Sequence, residues 1–172
     1  MESRHNNYLL VVGDREGLAW ILKEGRMLLP SKRNRAAGDI RSGDRILIYT
    51  SRGCFRNPTR DRGRVIAEVI ATSDVAILAD ELKVAGKIFN RSCSFSIGKM
   101  AREGEGVDLA QHVAKLNTFP DKWHTHIRRT IVPISGQDRD LLMDALERIA
   151  IPAEEALPSY ISRMQNRRKR PV

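Results

Sequence analysis

The chain has 172 residues, 30 of them Lys or Arg and 21 Asp or Glu, for a formal net charge of +9. With 41% hydrophobic residues, 12 glycines and 7 prolines it can bury a core, which excludes collagen-like and wholly disordered classes. Its apolar runs, such as Tyr8-Leu9-Leu10-Val11-Val12, are too short to cross a bilayer and no signal-peptide pattern opens it, so a cytoplasmic protein with no membrane partner is expected.

Asn7 to Gly13 is a β-rich apolar run closed by glycine and reads as a buried strand. Asp14 then stands as an N-cap, and Leu18, Ile21 and Leu22 recur at helical spacing up to Gly25, a C-terminal stop. Met27 to Leu29 predicts a brief strand ended by Pro30, and Ser31 to Arg41 a polar loop or one helical turn. Ser42-Gly43-Asp44 is a turn signal before Arg45 to Thr50, the second main strand. An Arg-rich loop runs from Ser51 to Gly63, and Arg64 to Ala71 is a third strand. Lys87 to Phe89 is a short apolar piece, Ser92 to Ala101 alternates as a strand, and Val107 to Leu116 reads as a helix. Ile127 to Ile134 is expected as the last strand, followed by a capping box at Ser135 to Asp138 and an amphipathic helix through Leu142, Leu146 and Ile149. Pro152 and Pro158 are expected to interrupt the chain beyond Ile149, leaving one turn near Tyr160 and a basic end. The order predicts an α+β fold with a small twisted sheet or open barrel.

The charge is clustered. Arg26 to Arg64 holds eleven basic residues against three acids, and Arg163 to Val172 holds five basic residues and none. The remainder is therefore mildly acidic, and the two basic zones point to a polyanionic partner. Arginine outnumbers lysine 22 to 8, which suits phosphate grip and base stacking.

No phosphate-binding glycine loop, dinucleotide fingerprint or nucleophile-elbow motif is present. Cys54 and Cys93 form neither a disulfide framework nor a zinc spacing. His124-x-His126 would share one face of a strand, but no further ligands follow, so no metal or cofactor is expected. Trp20 belongs to a core stripe, whereas Trp123 lies in an irregular polar stretch where a ring can close a pocket or stack on a flat ligand. Tyr49-Thr50-Ser51 ends a strand at the Arg loop and reads as a pocket wall with small hydroxyls. Glu68 stands in an apolar strand, where an inward side chain would need Arg64 or Arg45 as partner.

These segments together resemble the EVE domains of the PUA-like superfamily. The resemblance rests on Tyr8 to Val12, on Met27 to Asn34, and on Ile40 to Tyr49, with its Gly43-Asp44 strand entry. It continues through Gly63 to Val69, Lys122-Trp123, and the closing helix from Ile134 to Leu146. It covers roughly Tyr8 to Ile149, which sets an EVE-type domain over 1–150 and an extension with a basic tail over 151–172. Leu28-Leu29 and Trp123-His124 stand where the family often has Trp-Gly. The resemblance implies a PUA-like mixed or antiparallel pseudobarrel with flanking helices. It also implies a non-catalytic nucleic-acid-binding domain, for DNA or RNA, that recognises a modified base in a concave pocket ringed by Arg.

The base site would draw on Leu29, Pro30, Ser31, Lys32, Arg33, Tyr49, Thr50, Ser51, Trp123, His124 and Arg128, with Arg35, Arg52, Arg56, Arg60 and Arg64 on phosphates. An alternative comes from the related ASCH domains: an amidohydrolase acting on acylated nucleosides through Lys32, Ser31 or Thr50, and Glu68. A docking module with a vestigial pocket is a third reading. The pattern carries no signal for an oligomeric state.

Overall fold

The computed structural model describes residues 4–30, 35–55, 62–119 and 123–167. The chain opens with β1 (Asn7–Val12) and α1 (Arg15–Glu24), then β2 (Arg26–Leu29), α2 (Arg35–Asp39), β3 (Arg45–Thr50), β4 (Arg64–Ala71), β5 (Ala76–Val84) and β6 (Lys87–Met100). It closes with β7 (Val107–Asp108), two 3-10 turns, α3 (Trp123–His126), β8 (Ile131–Ile134), α4 (Gly136–Glu147), β9 (Ile151–Pro152) and α5 (Ala153–Arg167).

Local signals set the first helix. Asp14 is extended, its carboxylate accepts the Gly17 N–H at 2.5 Å, and Gly25 closes the helix at φ 63. The next turn before a strand is tied by a carboxylate: Asp44 accepts the Asn6 N–H at 2.9 Å and the Arg41 N–H at 2.8 Å. Gly43 takes φ 93 there, a conformation only glycine adopts without strain.

The main sheet runs β2-β6-β4-β3-β1-β8; β5 and β9 join β6, and β7 joins β4. β1 and β3 are parallel, with Val12 opposite Thr50, and the other pairs are antiparallel. The long β6 curls the sheet: its first half pairs with β5 and β2, its second with β4 and β9.

Both faces of the central strands are covered. Leu10, Val12, Ile46, Ile48 and Ile66 pack on one face with Leu18, Ile21 and Tyr160. Leu9, Leu47, Tyr49 and Val65 pack on the other with Leu142, Leu146 and Phe119. Two buried faces explain why β1 and β3 read as nearly unbroken apolar runs.

Several expectations are corrected. Lys87 to Phe89 and Ser92 to Ala101 belong to one 14-residue strand, β6. Its partner β5 went unread because it is an edge strand, mostly exposed on both faces, so no alternation marks it. Val107 to Leu116 is not a helix but β7 followed by 3-10 turns, the first capped by Asp108 accepting the Ala110 N–H at 3.1 Å. The strand expected from Ile127 starts only at Ile131, and His124-x-His126 lies in the short helix α3 instead of a strand. The capping box is half formed: Ser135 accepts the Asp138 N–H at 3.1 Å, but the Asp138 carboxylate turns to Thr118 and Asn117. Pro158 does not interrupt the chain but lies inside α5. Proline costs a helix bond there. Burial of Ala153, Ala156 and Tyr160, with the Tyr160 hydroxyl donating to Ala101 O at 2.8 Å, offsets it and joins α5 to the core.

Candidate functional site

In sheets with parallel strands, crevices form beyond the carboxyl ends of those strands. Here that rim lies where β1 and β3 end side by side at Val12 and Thr50. Ser51 donates its N–H to Val12 O at 3.1 Å, which continues the pairing past the strand ends. The first turn of α1 rises from this rim, with a hollow on each side of it.

The first hollow is apolar, with a volume of about 270 Å³. Leu10, Val12, Ile21 and Leu28 contribute apolar surface, and Pro30 and the hairpin tip of β5 and β6 (Val84, Ile88, Phe89) complete it. The tip is a tight turn with Ala85 at φ 53 and Gly86 at φ 78, the signature of a type I′ hairpin. Polar groups are few. The Asp14 carboxylate, already holding the Gly17 N–H, lies 4.0 Å from Lys87 Nζ. Thr130 lines the hollow too, its carbonyl accepting the Val11 N–H at 2.8 Å.

The second hollow, of about 400 Å³, carries charge of both signs. Thr50, Ile66 and Tyr160 line it together with Phe55. Arg15 pairs with Glu103 at 2.7 Å and lies over the Phe55 ring, 5.5 Å from its centroid. Arg62 meets Asp108 at 3.0 Å, and Arg64 donates to the Gly104 carbonyl. Gly106 is required beside it, since a Cβ there would come within 2.9 Å of Arg64 Cβ. Burial pushes the Tyr160 phenol well above its usual range, so it stays neutral at this hollow.

The predicted site residues divide. Pro30 lines the first hollow; Thr50 and Arg64 line the second. Leu29 is buried in the core beneath, and Ser51 sits at the rim between Thr50 and the loop. Arg52 and Arg128 are exposed, the latter two residues before Thr130. Arg35 opens α2 and His124 lies in α3. Ser31, Lys32, Arg33, Arg56 and Arg60 lie outside the described residues.

The pocket-wall reading of Tyr49 is corrected. Successive strand residues point to opposite faces. Thr50 therefore reaches a hollow, while Tyr49 points into the opposite cluster at 1% exposure. Burial, then the charge of Asp108, pushes its phenol up to about 12. Trp123 packs against the same cluster as Tyr49, so neither ring lines the two hollows. Glu68 takes neither Arg64 nor Arg45: Arg139 of α4 grips it through two hydrogen bonds of 2.7 and 2.8 Å.

Sequence reasoning passed over Phe89, Phe55, Arg15, Lys87 and Glu103 as site residues. One signal was the Ala85-Gly86 pair before Lys87 to Phe89, which marks a hairpin tip; Phe89 itself is half-buried.

No family model and no curated protein matches the sequence. Solved structures do match the fold. The human THYN1 protein, crystallised in complex with 5-methylcytosine-containing DNA, aligns with TM-score 0.52 at 12% identity, over 81% of this chain and 96% of that one. The DUF55 domain of human thymocyte nuclear protein 1 aligns with TM-score 0.51 at 14% identity, over 83% and 98%. Rpa0253 from Rhodopseudomonas palustris aligns with TM-score 0.52 at 16% identity, over 84% and 94%. These likenesses bear out the expected α+β pseudobarrel with flanking helices as the fold of this chain, the fold it shares with the DUF55 domain.

Proposed function

We propose that this chain is a nucleic-acid-binding domain that takes a single extruded base, bearing a small modification such as a methyl group, into the apolar hollow beside α1. The observation that carries the reading is the composition of that hollow: an apolar lining, one ring in its wall, and one carboxylate. A flat heterocycle needs those three things. Phe89 offers stacking, worth about 1–3 kcal/mol per base. The aliphatic lining favours a methyl group over the bare ring by burying it, at roughly 0.8 kcal/mol per such carbon. The Asp14 carboxylate can accept the exocyclic amine of cytosine or adenine. The fold is one on which a human protein has been crystallised with 5-methylcytosine-containing DNA, which supports the same ligand class here.

Cations surround this rim in the sequence. Lys87 lines the hollow, and Arg128 and Arg129 precede Thr130. Lys32, Arg33 and Arg35 follow Pro30, and Arg52, Arg56 and Arg60 follow Ser51. Their role is to hold the phosphates flanking the extruded base. The amidohydrolase alternative finds less support, because its carboxylate, Glu68, is held by Arg139.

Fluorescence anisotropy with labelled single- and double-stranded oligomers, each carrying one 5-methylcytosine, N6-methyladenine or unmodified base, tests the proposal. A modified oligomer should bind several-fold tighter than its unmodified counterpart. If about six cations touch phosphate, affinity should fall with a log–log salt slope of roughly −4 to −6. Equal affinity for every base combined with indifference to salt would overturn it.

A further inference from the structure

The mixed-charge hollow is left unused by that reading, yet it begins one strand away. Val12 lines the first hollow and its register partner Thr50 lines the second, a separation of about 5 Å. The two hollows therefore adjoin along one strand pair, as sites for neighbouring nucleotides must. Its chemistry differs from its neighbour's in a definite way: guanidinium forks and carboxylates stand in the same hollow beside an aromatic ring.

We infer that the second hollow is a guanine subsite, taking the nucleotide next to the extruded base. Only the claim that both bases belong to one strand rests on the function proposed above. Guanine is the nucleobase with two acceptors, O6 and N7, along one edge and adjacent N–H donors, N1 and N2, along another. A guanidinium fork matches the first edge in the commonest specific base contact known. A carboxylate matches the second.

The residues needed are available for exchange. Arg64 is held by a neutral carbonyl, that of Gly104. Arg62 is 64% exposed at its side chain, so its pair with Asp108 is a surface pair of little strength. Glu105 is exposed in the turn that Arg64 grips. The Arg15–Glu103 pair is more enclosed, and it keeps Arg15 over Phe55 and the ring in place as a stacking wall. Adenine would set its N6 amine against the guanidinium forks. Cytosine offers a fork its O2 and N3 but has only one donor group, the N4 amine, and thymine has a single N3–H between two carbonyls, so neither gives a carboxylate two adjacent N–H donors. A volume of about 400 Å³ lies within the range of small-ligand sites, about 300–1,000 Å³.

Titration calorimetry of the full chain with GMP, IMP, AMP, CMP and inorganic phosphate tests the assignment. GMP should bind about tenfold or more tighter than AMP, and IMP, which lacks the N2 amine, should fall between them. Glu105→Ala, at an exposed position, should lower GMP to the IMP level, and Arg64→Ala should abolish the preference for GMP over AMP. Equal binding of GMP and AMP, competition by phosphate alone, or no nucleotide binding up to millimolar concentration would overturn the guanine subsite. A second arm separates the two proposals. Oligomers with guanine or adenine beside the modified base should differ by the same factor. Modified-base preference without neighbour preference would sink the subsite alone; selective GMP binding without modified-base preference would sink the function proposed above alone.

Discussion

The two ends of the central strands handle charge differently. Where β1 and β3 begin, carboxylates bind backbone. Asp44 accepts the N–H groups of Asn6 and Arg41, and Asp138 accepts those of Asn117 and Thr118, both at 2.7 Å, as well as the Thr118 hydroxyl. Both aspartates are buried. Where β1 and β3 end, charged side chains mostly meet one another across half-open hollows: Arg15 with Glu103, Arg62 with Asp108, Asp14 with Lys87. A carboxylate bonded to backbone cannot leave without stranding buried donors. An exposed side-chain pair such as Arg62–Asp108, with Arg62 64% exposed, can be traded for a ligand at small cost. The first end is therefore fixed, while the second holds at least one pair, Arg62–Asp108, that can exchange.

Breaking the first end should cost most. Asp138→Ala strands the Asn117 and Thr118 N–H groups and leaves the start of α4 without its tie. A loss of about 3 kcal/mol or more is expected, read as a lower urea midpoint at unchanged slope.

Alkali should come next. Tyr49 ionises near 10 when unfolded and at about 12 when folded, because burial holds it neutral. A folded pKa above the unfolded one means the stabilisation is complete below pH 10 and is lost as pH rises from 10 towards 12. The loss should approach about 2–3 kcal/mol. Burial of Tyr8 and Tyr160 acts in the same direction. Urea midpoints across that window should fall in the parent and fall less in Tyr49→Phe.

The floor beneath the rim offers a sterically sharper probe. A Cβ on Gly63 would run into the Tyr49 hydroxyl and ring, and that ring is walled in. Gly63→Ala should cost about 1–3 kcal/mol by overpacking. Adding Tyr49→Phe should restore part of it.

Smallest of all should be the stability effect of Arg62→Gln at the rim, where the side chain is 64% exposed, below about 1 kcal/mol by thermal melting. A loss as large as that of Asp138→Ala would erase the distinction between the two ends.

The legible parts of the molecule are those whose signals are local. The Asp14 and Gly25 caps, the Gly43-Asp44 turn and strands β1, β3 and β4 are of this kind, so the residues announce them. The curl of the sheet is not local. It depends on β6 serving four partners and on β5, an exposed edge whose sequence, AILADELKV, alternates neither polarity nor burial. The site was half legible for a related reason. Tyr49-Thr50-Ser51 ends a strand beside the hollows, but which member faces them depends on strand parity and on which face carries α1. The sequence drew attention to the tyrosine and tryptophan as the larger rings, while the face with the hollows presents Phe89 and Phe55. Both come from segments remote in sequence, which only the folded sheet brings to the ends of β1 and β3.

The central claim is that a base enters beside Phe89, on the α1 face, and not beside Trp123 on the other. The most direct measurement compares modified-base preference in the parent, Phe89→Ala and Trp123→Phe, using one labelled oligomer pair that differs by a single methyl group. The account predicts that Phe89→Ala loses the preference and weakens binding by about 1–3 kcal/mol, while Trp123→Phe keeps both. Retention of the preference in a folded Phe89→Ala variant, with its loss in Trp123→Phe, would contradict it.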